Sequence, residues 1–351
     1  MTPSRLTELG PVRDNPGDLR GLCFVPEGAE GPMPLVVLDG CTQTAEVYDH
    51  GSGWSTLAAR YDFALLFPEQ QRSNNAMLCF NWFSANDTKR GMGEAASIKS
   101  MIDTIKRDHA IDEARVFITG LSDAGAMTSA MLATYPEQFA AGAILAGLAY
   151  GCASGMAEAL DCMGGCSRGT ADELSAVVRR ASPHRGKWPR VQVWQGDADT
   201  TVTPGNADSI VTQWVGLHGL SATPDVVDRV DNHPRARWIG DDGKALIEQY
   251  SITGMAHGVP LDPRRGGGDA LGAAGAHMLD VGLSSTLHIA EFFGIEGAPA
   301  VETGPAKAVA PIISIVARRE RPRAAKPAPT PHTSGVQAVI EKALWAAGLM
   351  R

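Results

Sequence analysis

Short apolar runs alternate with longer amphipathic ones over residues 20–295, which predicts an α/β fold: a mostly parallel sheet with helices on both faces. Several of the amphipathic stretches fall between consecutive apolar runs, as crossover helices between parallel strands do. With 44% hydrophobic and 20% charged residues in 351, the chain can bury a large core that needs neither disulfides nor metals to hold it.

The strands are expected at residues 20–25, 34–38 (PLVVL), 63–67 (FALLF), 115–119 (RVFIT), 141–145, 191–194 and 245–252. Helices are expected at 53–61, 94–108, 123–134, 206–218 and 284–293. Residues 151–188 form a long segment between two strands with three cysteines and many glycines, which reads as a lid or binding loop, or as a plain surface excursion. After Ile295 the composition changes. Residues 299–331 hold seven prolines and a cluster of Arg318, Arg319, Arg321, Arg323 and Lys326, the pattern of an extended linker. The last stretch spaces Val336, Val339, Ile340, Leu344, Trp345 and Leu349 as in an amphipathic helix. The expected organisation is therefore a catalytic domain at 1–295, a basic Pro/Ala-rich linker at 296–333 and a C-terminal helix at 334–351.

Charge narrows the classes of partner. The chain carries −8 overall; residues 296–351 hold eight Lys or Arg against four Asp or Glu, so the tail is +4 and the body −12. An acidic body argues against nucleic acid as a partner. No run of eighteen apolar residues exists, which excludes a membrane-spanning helix, and the first twenty residues lack the apolar stretch of an export signal. The expectation is a cytoplasmic protein. Six cysteines, Cys23, Cys41, Cys79, Cys152, Cys162 and Cys166, show no paired zinc-ligand spacing and are read mostly as buried thiols.

The strand RVFIT runs into Gly120-Leu121-Ser122-Asp123-Ala124-Gly125 and then into a helical stretch. A serine on a sharp strand-to-helix turn presents its hydroxyl to substrate, which makes Ser122 the candidate nucleophile. The usual G-x-S-x-G pattern is altered, with Ala124 in its fifth place. A serine hydroxyl needs a base, and the base needs an orienting carboxylate. Downstream, VQVWQ is followed by Asp197 and Asp199, and ALIEQYSIT by the glycine-flanked His257. His277 also follows a glycine-rich loop, but position favours His257. The loop after PLVVL, Asp39-Gly40-Cys41-Thr42-Gln43, is placed to offer the Cys41 N–H to a developing oxyanion, with a second N–H from Asp123. A small packing role suits Cys41 equally well.

These residues, with PLVVLDGCTQTAEVYD, CFNWFSANDTKRGMGEAASI, VFITGLSDAGAMTSAMLATYPEQF, WQGDADTTVTPGNA and ITGMAHGVPLD, resemble the poly(3-hydroxybutyrate) depolymerase family of esterases, a branch of the α/β-hydrolases. The resemblance covers residues 20–295. It implies an α/β-hydrolase fold, a Ser122, Asp199 and His257 triad, and oxyanion N–H groups from Cys41 and Asp123. It also places Asn81 and Trp82 at the active-site rim, where Trp82 would stack on substrate or pack in the core. It implies a serine esterase without cofactor or metal, acting on 3-hydroxyalkanoate polyesters or their oligomers; feruloyl or acetylxylan esters are the alternative substrates, and a non-catalytic scaffold is the reading from another class. Three positions depart from the family: Asp39, where histidine is usual, Ala124, and Asp197, whose charge could compete for His257. The C-terminal helix, tethered by the basic segment, is expected either to dock on a granule or partner protein or to pack back onto the enzyme's own body.

Overall fold

In the computed structural model, which describes residues 4–28, 34–109, 111–112, 114–165, 169–264 and 271–295, the apolar runs pair side by side as strands. In chain order these are β1 Thr7–Glu8, β2 Arg20–Phe24, β3 Pro34–Leu38, β4 Ala64–Glu69, β5 Phe117–Leu121, β6 Ala141–Leu145, β7 Arg190–Gly196, β8 Val226–Val230, β9 His233–Ile239 and β10 Ala245–Ile252. The sheet order is β1-β2-β4-β3-β5-β6-β7-β10-β9-β8. From β4 through β3, β5, β6 and β7 to β10 every neighbouring pair is parallel, and antiparallel strands close both edges. The six central strands therefore end on one side of the sheet.

The helices are α1 Ala45–Ser52, α2 Trp54–Tyr61, α3 Ala85–Thr88, α4 Gly93–His109, α5 Asp123–Thr134, α6 Met156–Met163, α7 Ala171–Ala181, α8 Gly205–His218 and α9 Ser285–Phe293. Two apolar clusters show how they cover the sheet. Val36 and Leu38 of β3 pack with α4, α5 and α8, whereas Leu35 and Val37 pack with α1, α2 and α9. The alternation along one strand is the two-residue period of a sheet buried on both faces. Phe117 of β5 stacks on Phe293 of α9 with centroids 4.6 Å apart, and burying each such ring contributes about 1.5–3 kcal/mol. Among the described residues no helix is long and apolar enough to cross a membrane.

The seven expected strands and five expected helices are present, displaced by no more than a few residues at their ends. The β8–β9 hairpin was not expected. His233 begins β9 and is buried. The charges in this stretch disguised it: Arg235 grips Asp228 through two hydrogen bonds of 2.9 and 2.7 Å, and Arg237 adds a third of 2.9 Å. Asp231 and Asn232, both with positive φ, make the two-residue turn. Residues 151–165 and 169–188 are not a plain excursion, since they contain α6 and α7. The helix α7 carries a reciprocal cap between Thr170 and Glu173, a signal legible in the sequence. The expected linker and C-terminal helix lie outside the described residues, as does Cys166.

Candidate active site

The strand β5 turns into α5 through Ser122, whose φ of 63° and ψ of −120° lie where a side chain is strained. The turn survives because its neighbours fix it. The Ser122 N–H donates to Leu145 O at 2.9 Å, and Ser122 O accepts from the Ala126 N–H at 2.9 Å. A Cβ at Gly120 would lie 2.5 Å from Ala124 O, and one at Gly125 would lie 2.9 Å from Leu145 O. Both positions must be glycine for strand and helix to approach this closely. Ala124 needs no such space, because its methyl is buried in the core against α5's own face of the sheet. The departure from G-x-S-x-G is thus accommodated.

Two strands along, the loop after β7 buries Asp199. Its Oδ1 accepts the backbone N–H groups of Thr201 at 2.8 Å and Val202 at 3.0 Å, and its Oδ2 accepts from Gln195 Nε2 at 3.0 Å. The same Oδ2 lies 2.7 Å from His257 Nδ1, on the loop after β10. A carboxylate only accepts, so the proton of this bond sits on His257 Nδ1, and in the neutral ring Nε2 is then the accepting nitrogen. Asp197 is not a competitor. It is exposed, and its Oδ1 accepts the Gly254 N–H at 2.7 Å, closing the turn that leads to His257. His277 comes to the site in a different role: its Nδ1 lies 3.1 Å from His257 O and its ring stands edge-on to that of His257, with centroids 5.9 Å apart. Among the described residues Ser122 Oγ makes no hydrogen bond, to His257 or to any other group; such bonds commonly tighten only once substrate is bound.

The loop after β3 departs from expectation. From Gly40 to Gln43 each N–H is already taken: Gly40 by Gln43 Oε1, Cys41 by Asp123 Oδ1, Thr42 by Met77 O and Gln43 by Gly40 O. The Cys41 N–H was expected to face an oxyanion. It donates instead to the Asp123 carboxylate at 2.7 Å, because the residue after the nucleophile is an acid that folds back onto this loop. Cys41 is also not a free thiol, since a disulfide joins it to Cys79. Cys23, Cys152 and Cys162 are free thiols, Cys23 and Cys162 buried and Cys152 partly so. The group Cys41, Cys79 and Asp123 lies close enough to hold a cation, but its two sulfurs are spent on each other.

Asp123 Oδ2 accepts the Phe80 N–H at 2.7 Å. Next along, Glu94 at the start of α4 accepts the Asn81 N–H at 2.8 Å, Asn81 Nδ2 at 2.7 Å and Gln70 Nε2 at 2.6 Å. Asn81 Oδ1 accepts from Asn75. The Asn81 amide thus braces the rim segment rather than standing free for substrate. Trp82 is half-buried, packed against Ala126, Leu148, Cys162 and Val202, so part of its ring is core and part is accessible. Burial pushes the Asp123 carboxyl up to about 7 and that of Glu94 up to about 8. Asp39, with 1% of its surface exposed and neither oxygen hydrogen-bonded, is held well above the carboxylate range by burial and by the nearby Glu69 and Asp123.

Glu94 and Gln195 were missed from sequence, as were the pairing of Cys79 and the supporting position of His277, which sequence had weighed only as a rival base. Cys79 sits 38 residues from its partner, and only the β4–β3 adjacency brings them together. Gln195 could have been found, because it lies on β7 four residues before Asp199.

The family described as "Esterase PHB depolymerase" matches residues 20–229. The chain is 44% identical over 294 residues to poly(3-hydroxyalkanoate) depolymerase C of Paucimonas lemoignei, covering 83% of this chain and 70% of that one. It is 32% identical over 266 residues to feruloyl esterase B of Talaromyces stipitatus, covering 73% of each. Among solved structures, the acetyl xylan esterase from Aspergillus awamori shares the fold, with a TM-score of 0.69 at 24% identity over 83% of this chain and 99% of that one. An α/β-hydrolase sheet, a strained serine elbow and a buried Asp–His pair, together with this extent of similarity, place the chain in the PHB depolymerase family of carboxylic ester hydrolases.

Proposed function

We propose that Ser122, His257 and Asp199 are the catalytic triad of a serine esterase that cleaves 3-hydroxyalkanoate polyesters or their oligomers through an acyl-enzyme. The observation that carries the reading is the buried Asp199–His257 hydrogen bond of 2.7 Å, beyond the carboxyl ends of the parallel strands, the same end at which the elbow after β5 presents Ser122. His257 Nε2 takes the proton as Ser122 Oγ attacks the ester carbonyl, and returns it to the leaving alkoxide. Asp199 keeps the imidazole in the right tautomer and stabilises it while it is charged. The Asp123 backbone N–H, at the first position of α5, faces the developing oxyanion with the positive end of the helix dipole behind it. Water then attacks the acyl-enzyme by the reverse proton path.

The identity with poly(3-hydroxyalkanoate) depolymerase C favours hydroxyalkanoate esters, and the accessible part of the Trp82 ring offers an apolar face for such a chain. The feruloyl or acetylxylan alternative rests on lower identities. The test is a panel of hydroxybutyrate oligomers, amorphous polymer granules, feruloyl esters and p-nitrophenyl esters, with a fluorophosphonate label mapped by mass spectrometry. The reading requires label on Ser122 and fastest turnover of a hydroxybutyrate ester; faster cleavage of the feruloyl ester would move the substrate to the plant cell wall.

The Cys41–Cys79 disulfide favours an oxidising compartment over the cytoplasm expected from the amino terminus. The basic, Pro-rich segment from residue 296 onward suits contact with a granule or a partner protein. Deleting residues 297–351 should leave short-ester turnover intact and abolish granule binding; unchanged binding would remove that assignment.

A further inference from the structure

One carboxylate joins three segments that are distant in sequence. Asp123, beside the nucleophile, accepts the Cys41 N–H with Oδ1 and the Phe80 N–H with Oδ2, each at 2.7 Å. Those two amides flank the disulfide: Cys41 is one half of it, and Phe80 follows Cys79, the other half. Phe80 in turn leads to Asn81, which Glu94 holds from the far side, and to Trp82. The elbow, the loop after β3 and the rim segment therefore meet at a single buried acid with 4% of its surface exposed.

We propose that the Asp123 carboxylate is a positioning residue for substrate, fixing through its paired hydrogen bonds where the Phe80–Trp82 rim stands relative to Ser122. The proposal rests on the reading of Ser122 as nucleophile. Chemically, two N–H donors converging on one carboxylate give two charge-assisted bonds in fixed geometry, and the disulfide limits how far the two donors can separate when they weaken. Protonation of Asp123 leaves one carbonyl oxygen as a good acceptor and loosens one of the pair. The acids on neighbouring elements are Asp39 after β3, which Asp123 and Glu69 at the end of β4 both push up, and Glu94 at the start of α4, behind Asn81; Tyr48 of α1 lies beside Asp39 and Arg20 of β2 pairs with Glu69. The Cys41–Cys79 sulfurs do not titrate.

The experiment compares the full chain with Asp123→Asn and Asp123→Ala. It reads kcat and KM on p-nitrophenyl acetate and on a hydroxybutyrate trimer, the rate of fluorophosphonate labelling at Ser122, and the amide resonances of Cys41 and Phe80 from pH 5 to 9. A displaced rim should cost Asp123→Ala on the order of 10²-fold in kcat/KM on the trimer, and less than about 10-fold on the acetate, which is too short to use the rim. Asp123→Asn should recover about 10-fold on the trimer, since its amide oxygen still accepts one N–H. In the parent protein the Cys41 and Phe80 amides should titrate together, and in Asp123→Asn neither should. Equal losses on both esters in proportion to lost thermal stability would overturn the proposal, as would two amides that do not share a titration. Should Asp123→Ala fail to fold, Asp123→Asn and the amide titration still decide. Absence of both labelling and turnover in the parent protein would instead sink the Ser122 reading, with the amide titration left to judge the positioning of the rim.

Discussion

Two sides of the candidate site are built in contrasting ways. On one side, Ser122, Asp199 and His257 each stand a few residues beyond the end of a parallel strand, and their partners are mostly local: Thr201, Val202 and Gln195 around Asp199, Leu145 and Ala126 around Ser122. On the other side, the loop after β3 and the rim segment are held by a disulfide spanning 38 residues and by the buried acids Asp123 and Glu94. The first side inherits its geometry from the sheet. The second is assembled from long-range contacts, so single substitutions there should tune the site rather than abolish it.

The sharpest break in that contrast would come at the nucleophile. Ser122→Ala should lower ester turnover by on the order of 10⁶ while leaving the thermal transition in place, because triad members act as a unit. Comparable turnover in the folded variant would end the triad reading. Next in size, Asp199→Asn should cost on the order of 10⁴ through the wrong imidazole tautomer, whereas Asp197→Asn, which removes an exposed turn contact, should cost less than about 10-fold. Purified variants ranked the other way would reassign the acid. On the long-range side, Cys41→Ser with Cys79→Ser should lower stability by about 2–4 kcal/mol, read by denaturant unfolding, and should raise KM for oligomers more than for short esters.

The smallest effect concerns pH. Asp123, Glu94 and Asp39 have carboxyl groups raised by burial, so the folded state favours their neutral forms. Their contribution to stability is complete below the ordinary carboxylate range and is lost as pH rises through about 7 for Asp123 and about 8 for Glu94, with Asp39 also raised well above its ordinary value. Thermal stability should therefore fall across neutral to alkaline pH. Asp39→Asn keeps the shape and removes one ionisation, and should retain about 2–4 °C more of its transition temperature at alkaline pH than the parent. An identical decline in both proteins would show that Asp39 takes no part in it.

Legibility followed the range of the interactions. The apolar periodicity of β3 through β7 and β10, and the order of Ser122, Asp199 and His257 beyond strand ends, were readable because backbone pairing and turn geometry act over a few residues. The β8–β9 hairpin was hidden because Asp228, Arg235 and Arg237 look like solvated charges until they neutralise one another. The bond from the Cys41 N–H to Asp123 was unreadable for a related reason. Whether an amide faces substrate or a neighbouring acid depends on which loop packs beside it, and nothing within five residues of Cys41 specifies that.

By itself the sequence determined the kind of sheet, the elbow, and the strand-end order of Ser122, Asp199 and His257, since hydrophobic period and strand-end position are local properties of the chain. Tertiary structure alone decided that Cys41 pairs with Cys79, that Asp199 rather than Asp197 reaches His257, that His277 supports His257 from behind, and that Asp123 turns its carboxylate onto the rim. Each of these depends on which side chain is buried beside which partner, and burial is set by the packing of strands and loops far apart in the chain.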